Sequence, residues 1–330
     1  MKAAVFRTQG SVEVDDVPKP TLHAGEVLVR IQAAALNHRD LWIRSGQYPG
    51  LHFPVIPGSD GAGHVAEVGP GVDASWIDRE VVINPSCDWG HHESAQEPRF
   101  TILGMPKDGT LAEYVAVPAT QLAPKPAHLS WQEAAALPLA GLTAYRAVCV
   151  RARLQAHEKV LITGVGAGTG VFALQFALAI GAVPFVTSGS VAKLDRAKLM
   201  GARHGALYNV SSWAKEFGDH YGPFDVIIDS AGGPGFGDLV DIAAPGGRIV
   251  FFGATCGNPH EIPMRKVFWK QLSLLGTTMG SPVDFTAMLD LVNNKAIHPT
   301  VSHTFPLDQV GTAFDLLEAG TQFGKVVVTL

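Results

Sequence analysis

Cysteine is scarce. The chain has three among 330 residues, Cys87, Cys149 and Cys256. That number and spacing exclude a disulfide framework and point to a reducing compartment. No run of about 18 apolar residues is free of polar breaks, so no membrane span is expected. The start, "MKAAVFRTQG", lacks a long apolar segment and reads as a strand entering a turn, not as a signal peptide. Basic runs are missing too. A net charge of −5, from 25 basic and 30 acidic residues, leaves no footprint for nucleic acid. Low-complexity tracts are absent: the 36 glycines and 22 prolines are dispersed and mark turns between short elements. These absences leave a cytoplasmic globular protein with a large core, since 47% of residues are hydrophobic and 17% charged.

The length suggests about two domains. The first 120 or so residues are β-rich: "EVLVRIQAAAL", "GHVAEVGPGV", "REVVINPS" and "TLAEYVAVPATQLAPKP" read as strands separated by Gly and Pro. The pattern changes at "LSWQEAAALPLAGLTAYRAV", where Ser130 can cap a helix that Pro138 interrupts. Strands and helices then alternate. "KVLITG", "VPFVTSG", "FDVIIDSAGG" and "GGRIVFFGAT" are buried strands, with helices in "TGVFALQFALAIGA", ended by Gly181, and "VAKLDRAKLMGA". Such alternation implies βαβ crossovers and a parallel sheet. The end, "FGKVVVTL", returns to a β pattern and is expected to rejoin the first domain.

Between a buried strand and an Ala-rich helix lies "GVGAGTGV", with Gly164, Gly166, Gly168 and Gly170. Missing side chains let a pyrophosphate approach the backbone, and the N–H groups of Thr169, Gly170 and Val171 at a helix start can bind it. NAD-binding chains usually place an acid about 20 residues further on, at the ribose 2′-hydroxyl. Here that place reads Thr187, Ser188, Gly189, Ser190, and Lys193 and Arg196 follow. Cations without a carboxylate suit a 2′-phosphate, so NADP is expected over NAD. The alternative for Lys193 and Arg196 is a solvated helix face.

With "LNHRDLWIRSGQYP", "PGSDGAGHVAEVGPGV", "AALPLAGLTAYRAV", the glycine loop and "GKVVV", the chain resembles the medium-chain dehydrogenase/reductase superfamily over essentially its full length. The resemblance implies an α/β protein, a GroES-like β-barrel catalytic domain plus a Rossmann domain with a doubly wound parallel sheet. The expected boundaries are 1–124 completed by 268–330 for the first and 125–267 for the second. Zinc alcohol dehydrogenases of this superfamily carry a Cys in the first segment, His-Glu in the second and a Cys or Asp near the third. Here Asn37, Ser59-Asp60 and Leu139 stand there. Zinc needs three or four converging S, N or O ligands, so no metal is expected. A rearranged set from His38, Asp40 and Asp60 stays open. In the stretch 84–108 only Cys87 remains of a structural zinc lobe, and His91, His92 and Glu93 match no closed zinc motif.

The first segment instead resembles zinc-free quinone oxidoreductases, with Asn37, Asp40, Arg44 and Tyr48 in place and Trp42 where a Tyr is usual. That resemblance implies a cleft lined by Asn37, Asp40, Trp42 and Tyr48, with Asn37 on a developing oxyanion and Tyr48, or alternatively His38, as proton donor. It also implies cofactor contacts at Thr143, Tyr208, Phe252, Gly253, Thr278, Met279, Gly280 and Lys325. A homodimer through the Rossmann sheet edge at "LSLLGTTMG" is expected as well. Without a Lewis acid, electrophilic small molecules remain as substrates: quinones and α,β-unsaturated carbonyls, reduced by NADPH. Two other readings stay open. One is a zinc alcohol dehydrogenase with rearranged ligands. The other is an NADPH-binding structural or sensor protein with little turnover.

Overall fold

The computed structural model describes residues 1–330, and the chain forms two compact units, Met1–Leu142 with Gly280–Leu330, and Thr143–Met279. These boundaries fall later than the expected 124/125 and 267/268. The first shift arises because helix Trp131–Ala136 packs on strands Glu26–Ala35 and Asp60–Val68 of the β-rich unit. The second arises because strand Ser273–Gly276 pairs with Ala243–Phe251 and extends the other sheet.

In the β-rich unit a seven-stranded sheet runs in the order Val301–Pro306, Lys325–Thr329, Glu26–Ala35, Asp60–Val68, Glu80–Ile83, Leu122–Pro124, with Tyr114–Pro118 also paired to Glu26–Ala35. The long strand Glu26–Ala35 organises it. Its apolar residues Val27, Val29, Ile31 and Ala34 enter a core with Phe6, Ile43, Val65, Ile83, Leu111 and Phe314. The last strand lies antiparallel to it, with Val327 opposite Ala35. This pairing carries Lys325 to the end of Glu26–Ala35, where helix His38–Arg44 begins.

The other unit has six parallel strands in the order His204–Leu207, Val183–Ser188, Lys159–Ile162, Phe224–Asp229, Ala243–Phe251, Ser273–Gly276. That order is the doubly wound arrangement, reversing direction between Lys159–Ile162 and Phe224–Asp229. Val160, Leu161 and Ile162 are buried, as a strand covered on both faces requires. Helix Gly168–Ile180 follows and stops at Gly181, whose φ of +87° closes the helix in the left-handed region. As read from the sequence, Ser130 caps the helix before Pro138: its hydroxyl accepts from the Glu133 N–H, and Glu133 returns a carboxylate oxygen to the Ser130 N–H. Pro138 then opens the next helix, Pro138–Tyr145.

Candidate active site

In the β-rich unit the site is built where strand Glu26–Ala35 gives way to helix His38–Arg44. Asn37 is the residue before that helix, and its backbone N–H donates to Asp40 Oδ2 at 2.7 Å. Asp40 has no exposed surface, and its other oxygen, Oδ1, has no partner. Burial pushes its pKa up, against the pull of Arg39. Asp40 is thus a buried capping group, removed from solvent.

The side chain of Asn37 meets two others. Its amide donates to Asp60 Oδ2 at 2.8 Å, and its oxygen accepts from Lys325 Nζ at 2.5 Å. Lys325 Nζ also donates to Asp60 Oδ2 at 2.8 Å. The remaining Asp60 oxygen accepts from the Leu139 N–H at 2.7 Å. Lys325 and Asp60 are buried, so their charges face each other without water. Of the positions aligned with zinc ligands, Asn37, Asp60 and Leu139 therefore do converge, and Ser59 does not join them. They converge on an ammonium and an amide, and both oxygens of Asp60 are occupied. Ser59 is engaged as well: its hydroxyl donates to Leu103 O at 2.8 Å and accepts from Arg39 Nη1 at 2.6 Å.

This donor set does not suit zinc. A divalent cation at Asp60 would meet the Lys325 charge, and no group of three or more His, Cys, Asp or Glu side chains is placed to hold a metal. His38 does not join Asp60; its ring lies edge-on to Trp42, with centroids 6.1 Å apart. In the stretch 84–108, Glu93 accepts from Ser281 Oγ, the His91 N–H donates to Glu97, and His91 and His92 are exposed. Burial pushes the Cys87 thiol up to about 11. Tyr48 is half-buried, with the Arg39 guanidinium 4.8 Å from its ring centroid. Trp42 is more open, 37% exposed.

In the other unit the glycine loop has the expected form. Gly164 and Gly166 take φ of +67° and +134°, which side chains on Cβ oppose. A Cβ on Gly170 would lie 3.3 Å from Gly164 O, so its lack lets the helix start close on the strand end. Gly168 begins the helix, with Thr169, Gly170 and Val171 in its first turn. The Val171 N–H already donates to Ala167 O at 3.1 Å, so the N–H groups ahead of it, on Thr169 and Gly170, and the gap left by the glycines are what fit a pyrophosphate. Ser188 ends strand Val183–Ser188, and Ser190 precedes helix Val191–Leu199 at its N-cap position without a side-chain cap bond, its own N–H donating to Ser188 Oγ at 3.3 Å. Lys193 lies over the loop: a Cβ on Gly166 would come within 2.7 Å of Lys193 Cδ and 3.3 Å of Nζ. The Tyr208 ring flanks Gly189 in the same way, its hydroxyl 2.8 Å from where a Cβ would sit. Arg196 is exposed on the helix of Lys193.

Elsewhere in that unit the Thr143 hydroxyl donates to the Met279 sulfur at 3.8 Å, and the Phe252 N–H donates to Asp229 O. A Cβ on Gly253 would collide with Ser230 O at 2.5 Å. Thr278 precedes Met279, and Gly280 belongs to the β-rich unit, where its carbonyl accepts from Ser86 Oγ at 2.7 Å. Lys325, expected at the cofactor, belongs to that unit too, and its ammonium is committed to Asp60 and Asn37.

The sequence reading missed Asp229 and Arg39, and it named Ser59 without the partner it finds in Arg39. Asp229 sits at the end of the fourth strand, accepting from Thr163 Oγ1 at 2.6 Å and from the Gly232 N–H at 2.8 Å. Ser59 and Arg39 form a buried pair. A signal existed for Arg39: it lies four residues before the buried Ile43, on the same helix face.

Residues 23–127 match the alcohol dehydrogenase GroES-like domain, and residues 168–294 match a model described as zinc-binding dehydrogenase. A zinc-type alcohol dehydrogenase-like protein, YogA, of Leptosphaeria maculans is 32% identical, with 97% of this chain and 94% of that one covered. The chain belongs to the medium-chain dehydrogenase/reductase superfamily. It is an oxidoreductase of that superfamily, whose oxidoreductases bind a nicotinamide cofactor. A crotonyl-CoA reductase of Streptomyces avermitilis is 33% identical over 96% of this chain and 82% of its own. A solved NAD-dependent alcohol dehydrogenase superimposes with a TM-score of 0.94 at 39% identity, covering both chains completely. The GroES-like and Rossmann domains expected of a medium-chain dehydrogenase/reductase are both present. No helix is long and apolar enough to cross a membrane.

Proposed function

We propose that this medium-chain dehydrogenase/reductase is an NADPH-dependent, zinc-independent reductase of quinones or α,β-unsaturated carbonyl compounds. One observation carries the reading: Lys325 and Asn37 occupy the carboxylate of Asp60 that a metal would need. The similarity to a crotonyl-CoA reductase, named for reducing an enoyl thioester, supports the choice of an activated alkene.

In this reading Gly164, Gly166, Gly168, Thr169 and Gly170 hold the pyrophosphate, and Val171 closes the first helical turn behind them. Ser188, Gly189, Ser190, Lys193, Arg196 and Tyr208 surround the 2′-phosphate, where no carboxylate opposes it. Thr143, Phe252, Gly253, Thr278, Met279 and Gly280 border the nicotinamide. Reduced nicotinamide, when bound, supplies a hydride. The chain's own residues handle the charge and proton that follow. Asn37 is fixed by Asp60 and Lys325, and one of its amide hydrogens is directed to Asp60, leaving the other for a substrate oxygen. Asp40 positions Asn37 through the backbone N–H. Trp42 supplies an apolar wall, and Tyr48 the proton. Lys325 acts by holding Asn37 and Asp60.

We further assign the sheet edge at Ser273–Gly276 to a homodimer. It is the last strand of its sheet, and the preceding helix exposes Met264, Phe268 and Trp269, the last at 83%. The function is tested by following the absorbance of NADPH and NADH with a small quinone, an enone and an aldehyde. Quinone or enone turnover with NADPH preferred supports it; turnover of the aldehyde alone, or with NADH alone, overturns it.

A further inference from the structure

Arg39 is a second buried cation in the β-rich unit, only 8% exposed, and its hydrogen bonds go to uncharged acceptors. Nη1 is well served, donating to Ser59 Oγ at 2.6 Å and Leu103 O at 2.8 Å. The rest of the fork is not. Nη2 reaches Ile102 O and Met105 O only at 3.5 Å, and Nε reaches the Tyr48 hydroxyl at 3.4 Å. Contacts of that length are the weak limit of hydrogen bonding. Asp40, next in the chain, directs Oδ2 to the Asn37 N–H instead. Lys325 is ion-paired with Asp60; Arg39 donates no hydrogen bond to an acid, and the neighbouring Asp40 carboxylate acts on it only through its charge. A guanidinium cannot shed its proton to escape burial. Leaving Nη2 and Nε on long contacts to uncharged oxygens costs free energy that an arriving anion would recover.

We propose that Arg39 is a catalytic residue that binds the carbonyl oxygen of the substrate through Nη2 and Nε and stabilises the oxyanion formed there. The proposal rests on the reductase reading above and gives it the electrophile that the absent metal ligands leave unfilled. Hydride from the reduced nicotinamide forms the new C–H bond at the β-carbon of the enone. The alkene π pair becomes the bond between the α-carbon and the carbonyl carbon. The carbonyl π pair passes to oxygen, giving an enolate beside Arg39. A proton from Tyr48, replaced from water, then adds to the α-carbon and the carbonyl re-forms. The phenol and guanidinium are already in contact, so the charge and the proton act at one place.

A clamp holding residues 102–105 to the helix would use the same contacts, so the test needs readouts that a clamp does not move. Arg39→Gln and Arg39→Lys are compared with wild type for NADPH affinity, enone turnover and binding of butyrate, a saturated carboxylate that mimics the enolate oxygen. In folded Arg39→Gln, kcat/KM for the enone falls about 10²–10³-fold while NADPH affinity stays within about twofold. Butyrate, competitive with enone in wild type, weakens by about tenfold or more, and Arg39→Lys recovers part of both losses. Turnover within about threefold of wild type, or butyrate binding unchanged in Arg39→Gln, overturns the proposal. If Arg39→Gln does not fold, Arg39→Lys carries the same readouts. If wild type reduces no acceptor, butyrate binding to the NADP-loaded protein still decides. Binding that depends on Arg39 keeps the anion site and removes the reductase reading; binding that does not overturns the proposal.

Discussion

Replacing Lys325 by Met removes the ammonium that Asp60 and Asn37 share. At 2.8 Å and an effective dielectric near 20, Coulomb's law gives ~6 kcal/mol of attraction for the pair. Part of that only offsets the cost of burying Lys325 itself. The variant still buries the Asp60 carboxylate and leaves Asn37 Oδ1 without its donor. Breaking one side of a buried pair costs about 3–5 kcal/mol, and that is the loss expected. Adding Asp60→Asn should restore much of it, because the amide at position 60 carries no charge and, once the Asn37 amide turns over, can donate to Asn37 Oδ1 while still accepting from the Leu139 N–H. The assay is urea unfolding of wild type, both single variants and the double variant, followed by near-UV circular dichroism. The expected result is a coupling energy above about 2 kcal/mol between the two sites. A loss below about 1 kcal/mol in Lys325→Met, or simple additivity, would refute the view that this pair is a tightly coupled buried centre.

Three further outcomes follow from the geometry. Lys193→Ala should weaken NADPH binding about 10–100-fold by removing a charge-assisted hydrogen bond to phosphate, with NADH nearly unaffected; fluorescence titration with both cofactors checks this, and equal losses would contradict it. Burial places the Cys87 thiol at about 11, so its thiolate is ~10⁻³ of the population at pH 8. Iodoacetamide at pH 8 should therefore label exposed Cys256 well before Cys87, with Cys87 labelling rising as pH approaches 11; mass spectrometry of peptides reads the order, and equal rates would be inconsistent with the burial. If the proposed sheet-edge dimer forms, wild type should have twice the chain mass by light scattering and Trp269→Glu the mass of one chain; a monomeric wild type, or a mass unchanged by the substitution, would remove the sheet edge as the interface.

The parallel sheet was readable because buried strands and Gly-marked helix ends leave strong local patterns. "KVLITG", the glycines at 164 and 166, and the stop at Gly181 all hold in the structure. The β pattern of "FGKVVVTL", after the run of alternating elements, also marked its return to the β-rich sheet. The domain boundaries were less legible, since helix Trp131–Ala136 has the composition of one unit and the packing of the other. The site was legible as residue identities and not as pairings. Asn37, Asp60 and Leu139 were aligned, but Lys325 lies 265 residues from Asp60, and only the antiparallel pairing of the last strand brings them together. Arg39 was passed over because a charge within "NHRD" reads as a helix surface unless the face of Ile43 is known to be inward. Asp40 and Trp42 show the same limit: neighbours in sequence, one is sealed from solvent and the other is 37% exposed.

The most direct test of the central claim is enone or quinone turnover with NADPH, measured before and after exhaustive dialysis against a zinc chelator, on protein whose metal content is determined by elemental analysis. The account predicts unchanged turnover by protein holding far less than one metal ion per chain. Turnover that disappears with the chelator and returns with stoichiometric zinc would contradict it.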